Sequence, residues 1–420
     1  MRLSVMDRKV STANLKVGMY VSKLDRPWVQ TPFLIQGFFI EEDNDISKLV
    51  EYCEYVHIDI EMGEKAEMYL DTAPPLSNPG FHVKQRLAIN KQVETILTTG
   101  KKAVTYIDKK TTIQELPDAR AAIDQASLSI TQMMEHDIRN GKLDVAKVKE
   151  AVEPILNSVI RNSDAFMWLS KMQDHDSYSY DHSVQNCALG IAFGRHIGLN
   201  KKELTTLATG LLLMDVGKIK LPKALLTKTT PPTQDEVAVM RKHVAFSVDI
   251  LRKAKGMNEH IINIALTHHE RYDGSGYPNG LIGTQTPAFG RMAAIIDCYD
   301  SMISSAPYKK AIPEHKALQN IYNLSDKLFQ KDLVEQFIQC MGVYPTGSLV
   351  ELTSGAVGAV LSQNAEQKMK PRILMLLDEK KQPLKKQKVF DLAEHGRTPL
   401  VIAKSLENNA YGADIRQVRF

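Results

Sequence analysis

Past Glu115 the apolar positions fall at intervals near three and four: Ala121, Ala122 and Ile123, then Ile130, Met133 and Met134, then Val145, Val148, Val152, Ile155, Leu156, Val159 and Ile160. That spacing puts them on one face of successive helices and predicts a helical bundle. It continues from Val184 to Ile197, through Leu204, Leu207 and Leu211, and again from Val237 to Leu251, with Gly198 and Gly217 as stops. The two ends of the chain read differently. Gly18 to Val21, Phe33 to Ile35, Phe38 to Ile40 and the alternating Tyr55 to Ile60 are strand-like, and Asp45 to Cys53 fits one short helix. After Tyr344-Pro345-Thr346-Gly347 strands return at Leu349 to Leu352, Ala356 to Leu361 and Ile373 to Leu377.

Ala73-Pro74-Pro75-Leu76-Ser77-Asn78-Pro79-Gly80 is the clearest break in regular structure. The chain is therefore expected to be multidomain and mainly α. A small α/β domain of regulatory or interaction character spans 11–72, a connecting segment 73–115, a helical domain 116–343 and a small β appendage 344–420. The length of 420 residues agrees, since about 150 residues per domain gives two to three.

Composition narrows the function classes only a little. With 43% apolar and 24% charged residues the chain is an ordinary globular protein. A net charge of +4 is too small over this length to point to nucleic acid. The Lys380 to Lys388 run is expected to be a solvated loop. The four cysteines, Cys53, Cys187, Cys298 and Cys340, form no C-x-x-C pair and read as core thiols. No apolar run reaches a membrane span and the N-terminus lacks a secretory pattern, so a cytoplasmic protein is expected.

The chemistry gathers around His268-His269-Glu270-Arg271-Tyr272-Asp273-Gly274-Ser275-Gly276-Tyr277-Pro278. Tandem histidines at a helix end, followed by a tight loop, bring imidazole nitrogens within reach of one cation. The stretch is not the zincin H-E-x-x-H, because Asp273 stands where the second histidine belongs, and it is not G-x-S-x-G, because Asp273 precedes Ser275 by two. Upstream lie His182, expected to open a helix, Asp215 after a helix, and His243; downstream is Asp297 behind apolar Ala293 to Ile296. An aspartate buried in such a helix must be paired or hold a metal. Four histidines and two aspartates without thiolates suit iron, manganese or zinc.

With HHERYDGSGYPNGL as its most specific part, this order of motifs resembles the HD-GYP family of bacterial phosphodiesterases, a branch of the metal-dependent HD superfamily, from about Ser177 to Lys310. Residues 11 to about 72 also resemble the domain of unknown function that often precedes HD-GYP domains. The resemblance implies a helical HD bundle holding two divalent ions, iron or manganese, and hydrolysing cyclic di-GMP to the linear dinucleotide or GMP. It implies that His182 binds the first metal, Asp215 bridges, His243, His268 and His269 serve the second, and Asp297 returns to the first. Lys218 then contacts the scissile phosphate, Tyr277 offers its ring to guanine or its hydroxyl to phosphate, and Lys309 adds a further phosphate contact.

Two positions depart from the family pattern. Met214 replaces the histidine of the His-Asp pair, and Ala306 stands where an arginine is common. A thioether is a poor donor for iron or manganese, so hydrolysis is expected to be weakened. The alternative is a protein that binds cyclic di-GMP without turnover, or scaffolds partners such as diguanylate cyclases.

Overall fold

The computed structural model describes residues 7–26, 31, 33, 38–59, 104–138, 143–172, 178–305, 309–364, 367–394 and 400–418. The proline-rich break at 73–80 and Ala306 lie outside them. By its internal contacts the chain divides into two compact units, 1–100 with 364–369, and 101–363 with 370–420.

The first unit is a small α/β body. Strands β1 (Asp7–Ser11), β2 (Tyr20–Leu24), β3 (Phe38–Phe39) and β4 (Tyr55–Asp59) form one antiparallel sheet in the order β1-β4-β2-β3. Helix α1 (Asp43–Tyr52) precedes β4, close to the predicted Asp45–Cys53. Met19, Val21, Leu49, Val56 and Ile58 make the core. The first strand starts four residues ahead of the expected boundary at Ser11: Asp7-Arg8-Lys9 is too polar to announce a strand, and it is held there by pairing with β4.

The second unit opens with α2 (Thr112–Gln132), which starts where Thr111 and Gln114 make a reciprocal capping box. There follow α3 (Val145–Arg161), α4 (Ser163–Met172), α5 (Tyr178–Ile197) and α6 (Lys201–Leu213), the last capped by Asn200 and Glu203. A 3-10 turn (Val216–Lys220), a single turn α7 (Lys223–Leu226), α8 (Gln234–Arg241), α9 (His243–Lys253) and α10 (Glu259–Thr267) come next. Then follow α11 (Ala288–Ile303), α12 (Glu314–Asn323) and α13 (Lys331–Met341). The faces predicted from the apolar spacing are the buried ones: Val148, Val152, Ile155 and Val159 on α3, and Leu204, Leu207 and Leu211 on α6, are fully or nearly fully buried. His182 lies inside α5, a turn past its start at Tyr178, where it was expected to open the helix.

The C-terminal sheet, β5 (Leu349–Leu352), β6 (Val357–Ser362), β7 (Arg372–Leu377), β8 (Pro383–Asp391) and β9 (Ile402–Ser405), is antiparallel in the order β8-β7-β6-β5-β9. It shares the compact unit of the helices. Asp164 of α4 fastens it, accepting from Thr346 Oγ1 at 2.6 Å and from the Gln363 amide at 3.0 Å. Of the lysine run expected as a loop, Lys380 and Lys381 lie in a turn, while Lys385, Lys386 and Lys388 belong to β8, an edge strand whose exposed lysines discourage pairing with another sheet edge. Cys53 and Cys187 are buried; Cys298 and Cys340 are partly so. Among the described residues no helix is long and apolar enough to cross a membrane.

Candidate metal centre

The centre is assembled where the turn after α6 meets α9. Gly217 makes that meeting close: a Cβ there would lie 2.2 Å from the His243 carbonyl and 2.4 Å from the Ser247 amide nitrogen, distances no side chain tolerates. Its own N–H donates to Ser247 Oγ at 2.8 Å. This contact sets Asp215, two residues earlier, against His243. Helix α10 ends at Thr267 and delivers His268 and His269 to the same place.

Asp215, His243, His268 and His269 each turn a ligand atom to one point, all within 4.8 Å of one another. His243 Nε2 stands 3.2 Å from His269 Nε2 and 3.5 Å from His268 Nε2. Asp215 Oδ1 lies 3.2 Å from the first of these and 3.8 Å from the Nε2 of His268. The tautomers follow from the backbone: His243 Nδ1 donates to the Met240 carbonyl at 2.7 Å, and His268 Nδ1 to that of Ala265 at 2.9 Å. In the neutral rings Nε2 is then a bare lone pair. Asp215 Oδ1 is itself buried without a hydrogen-bond partner. Lone pairs and a carboxylate oxygen facing one another out of water repel unless something positive lies between them, so these residues fit a cation.

Electrostatics support the same reading. Burial pushes the Asp215 carboxyl up, but the Lys218 ammonium 2.8 Å from Oδ2 helps to hold it well below the usual range. Burial, then the neighbouring His268, drives His269 well below an ordinary histidine, which keeps it neutral. Asp297 is raised by burial and by the charge of Asp215.

The remaining expected residues surround this cluster. Asp297 Oδ2 is 3.6 Å from His269 Nδ1, and His182 lies outside the four-residue group. His182 Nδ1 donates instead to Asp300 Oδ2 at 2.6 Å. Burial opposes its charge, but Asp300 outweighs it and lifts its pKa. Tyr277 is stacked on His269 at 4.7 Å between centroids, and the Arg241 guanidinium lies over its ring at 4.7 Å. The ring expected to receive guanine is thus flanked by protein groups. Lys309 donates to the Ser301 carbonyl at 2.9 Å. Met214, 1% exposed, is packed into the core.

Three residues were missed in the sequence. Asp300 lies one helical turn beyond Asp297, and that spacing was the available signal. Arg241 carried none, since its partner is reached only through the fold. Glu270 reads as part of the motif, yet it is the buried clamp of the loop: its carboxylate accepts the Asn279 amide at 2.8 Å and the Leu281 amide at 3.0 Å. The chain returns so closely that a Cβ on Gly276 would lie 2.3 Å from the Arg271 nitrogen.

A family model described as "HD domain" matches residues 167–333. A second, "Domain of unknown function (DUF3391)", matches 7–148 and so runs past the N-terminal sheet into α3. A protein of Pseudomonas aeruginosa named as a cyclic di-GMP phosphodiesterase is 28% identical over 404 residues, 94% of this chain and 92% of that protein. Another so named, from Thermotoga maritima, is 34% identical over 175 residues, 41% of this chain and 46% of its own. A solved HD-GYP-type protein of Bdellovibrio bacteriovorus aligns with TM-score 0.46 at 16% identity, over 79% of this chain and 98% of that one. The chain thus matches an HD domain model behind a DUF3391 model, and is similar over nearly its whole length to a protein named as a cyclic di-GMP phosphodiesterase.

Proposed function

We propose that the chain hydrolyses cyclic di-GMP in a metal-dependent reaction, giving the linear dinucleotide or GMP. The observation that carries this reading is the convergence of the bare His243 and His268 nitrogens, His269 and the unpaired Asp215 oxygen on one point. Three nitrogens, one oxygen and no thiolate suit iron, manganese or zinc. Bound divalent ions supply a nucleophile at neutral pH and charge neutralisation at the phosphodiester.

The chain's own residues hold and orient. His243, His268 and His269 with one Asp215 oxygen would hold one ion, and His182 and Asp297 would serve the other. Asp300 fixes the His182 ring and raises its basicity, as carboxylates behind metal-bound histidines do. Lys218, with a side chain 41% exposed beside Asp215, presents its charge to the scissile phosphate. Arg241, exposed over Tyr277, supplies a guanidinium beside the double-histidine loop.

The test is hydrolysis of cyclic di-GMP by the purified protein loaded with manganese or iron. Slow release of linear dinucleotide is expected. No product from protein that carries its metal would overturn it. A second reading, binding without turnover, is favoured by Met214 alone: a buried thioether beside Asp215 replaces an imidazole. It predicts ligand-induced stabilisation and intact substrate.

A further inference from the structure

We propose that Glu270 is a positioning residue for the metal centre: through the amides of Asn279 and Leu281 it holds the Tyr277 ring on the face of His269, and so aims that imidazole at the cluster. The proposal rests on the reading of the cluster as the metal site of a phosphodiesterase. It gives a role to a residue outside the four donors.

The three imidazoles are not held alike. His243 and His268 are each anchored by Nδ1 to a carbonyl three residues back, Met240 and Ala265. Among the described residues His269 has no such anchor: its Nδ1 stands 3.6 Å from Asp297 Oδ2, beyond hydrogen-bond reach. What fixes this ring is packing. It lies 4.1 Å from the His268 ring, and Tyr277 is stacked over it at 4.7 Å with 25° between the planes. An offset-stacked aromatic pair has a preferred geometry, so the direction of His269 depends on where Tyr277 is kept.

Glu270 keeps it there. One carboxylate oxygen takes the Asn279 amide at 2.8 Å and the other the Leu281 amide at 3.0 Å, while the Tyr277 amide donates to the His269 carbonyl at 3.2 Å. Gly280, between the two gripped amides, has φ +63°, a conformation that glycine adopts freely. Gly276, just before Tyr277, lies so near that a Cβ on it would come within 2.5 Å of Glu270 Cα. The carboxylate is buried, and among the described residues no lysine or arginine pairs with it. A buried charge without a cation is a costly way to close a loop. Its return is two charge-assisted bonds that fix the turn more firmly than neutral ones would.

Calorimetric titration of the metal-free full chain with manganese tests this role without any turnover. Glu270→Gln keeps the size of the side chain but sets an NH2 group against one of the two amides. It is expected to weaken manganese binding by about 10-fold, and Tyr277→Ala by a similar factor. Because the two act along one path, the double variant should bind no worse than the weaker single one. Losses that multiply in the double variant, as a merely structural glutamate would give, overturn the proposal. Should Glu270→Gln fail to fold, Tyr277→Phe beside Tyr277→Ala decides: the phenyl ring keeps the stack and should retain manganese affinity where alanine loses it. Equal affinity in those two overturns the positioning role alone. An unmodified chain that binds no manganese overturns the reading of the site and the proposal with it.

Discussion

Asp300 holds His182: Nδ1 of the imidazole donates to Oδ2 of the carboxylate at 2.6 Å, across 118 positions of sequence. Partners of this kind behind metal-bound histidines typically contribute about 10 to 100-fold in affinity or activity. Asp300→Asn is expected to lower metal content and cyclic di-GMP hydrolysis by a factor in that range with the fold intact. Metal analysis beside turnover checks it; unchanged values for both would place the pair outside the chemistry.

Met214→His returns an imidazole beside Asp215. We expect bound metal and turnover to rise together. A rise in neither would show that Met214 does not limit the centre.

Gly217→Ala forces a Cβ into the backbone of α9. Overpacking of this sort costs about 1 to 3 kcal/mol, and because the clash is with main chain the upper end is expected. Chemical denaturation gives the loss of stability, and metal content should fall with it because Asp215 and His243 are pushed apart.

The Asp164 carboxyl predicts a pH effect on stability. Burial pushes it up to about 6, against which Thr346 and the Gln363 amide pull down. A folded value above the ordinary one means the native state binds the proton more tightly than the unfolded chain, so stability falls as pH rises through about 6. The size is on the order of 3 kcal/mol. Denaturation curves between pH 4 and 7 should show a fall that Asp164→Asn removes; a slope unchanged by that substitution refutes the assignment.

Arg241→Gln removes the guanidinium over Tyr277. If Arg241 meets substrate phosphate, KM should rise several-fold with little change in kcat, and the salt dependence of KM should weaken. Equal losses in kcat and kcat/KM would assign it instead to the shape of the loop.

Much of this was legible before any coordinates. The helical faces of α3 and α6 followed from apolar spacing because burial in a bundle is what that spacing serves. Asp215, His243, His268 and His269 were named from residue type and order, and they meet. His182 and Asp297 were named with them, yet the atoms of the tight cluster exclude both. Sequence lists donors but not ring orientation, and orientation here is set by Asp300, Met240 and Ala265. Strand β1 escaped notice because pairing with β4, rather than local preference, creates it.

Glu270 follows the two histidines directly and grips the far side of the same loop through two amides. The paired histidines and the turn behind them are therefore cast as one piece, so a shift of that turn is passed directly to the clustered nitrogens.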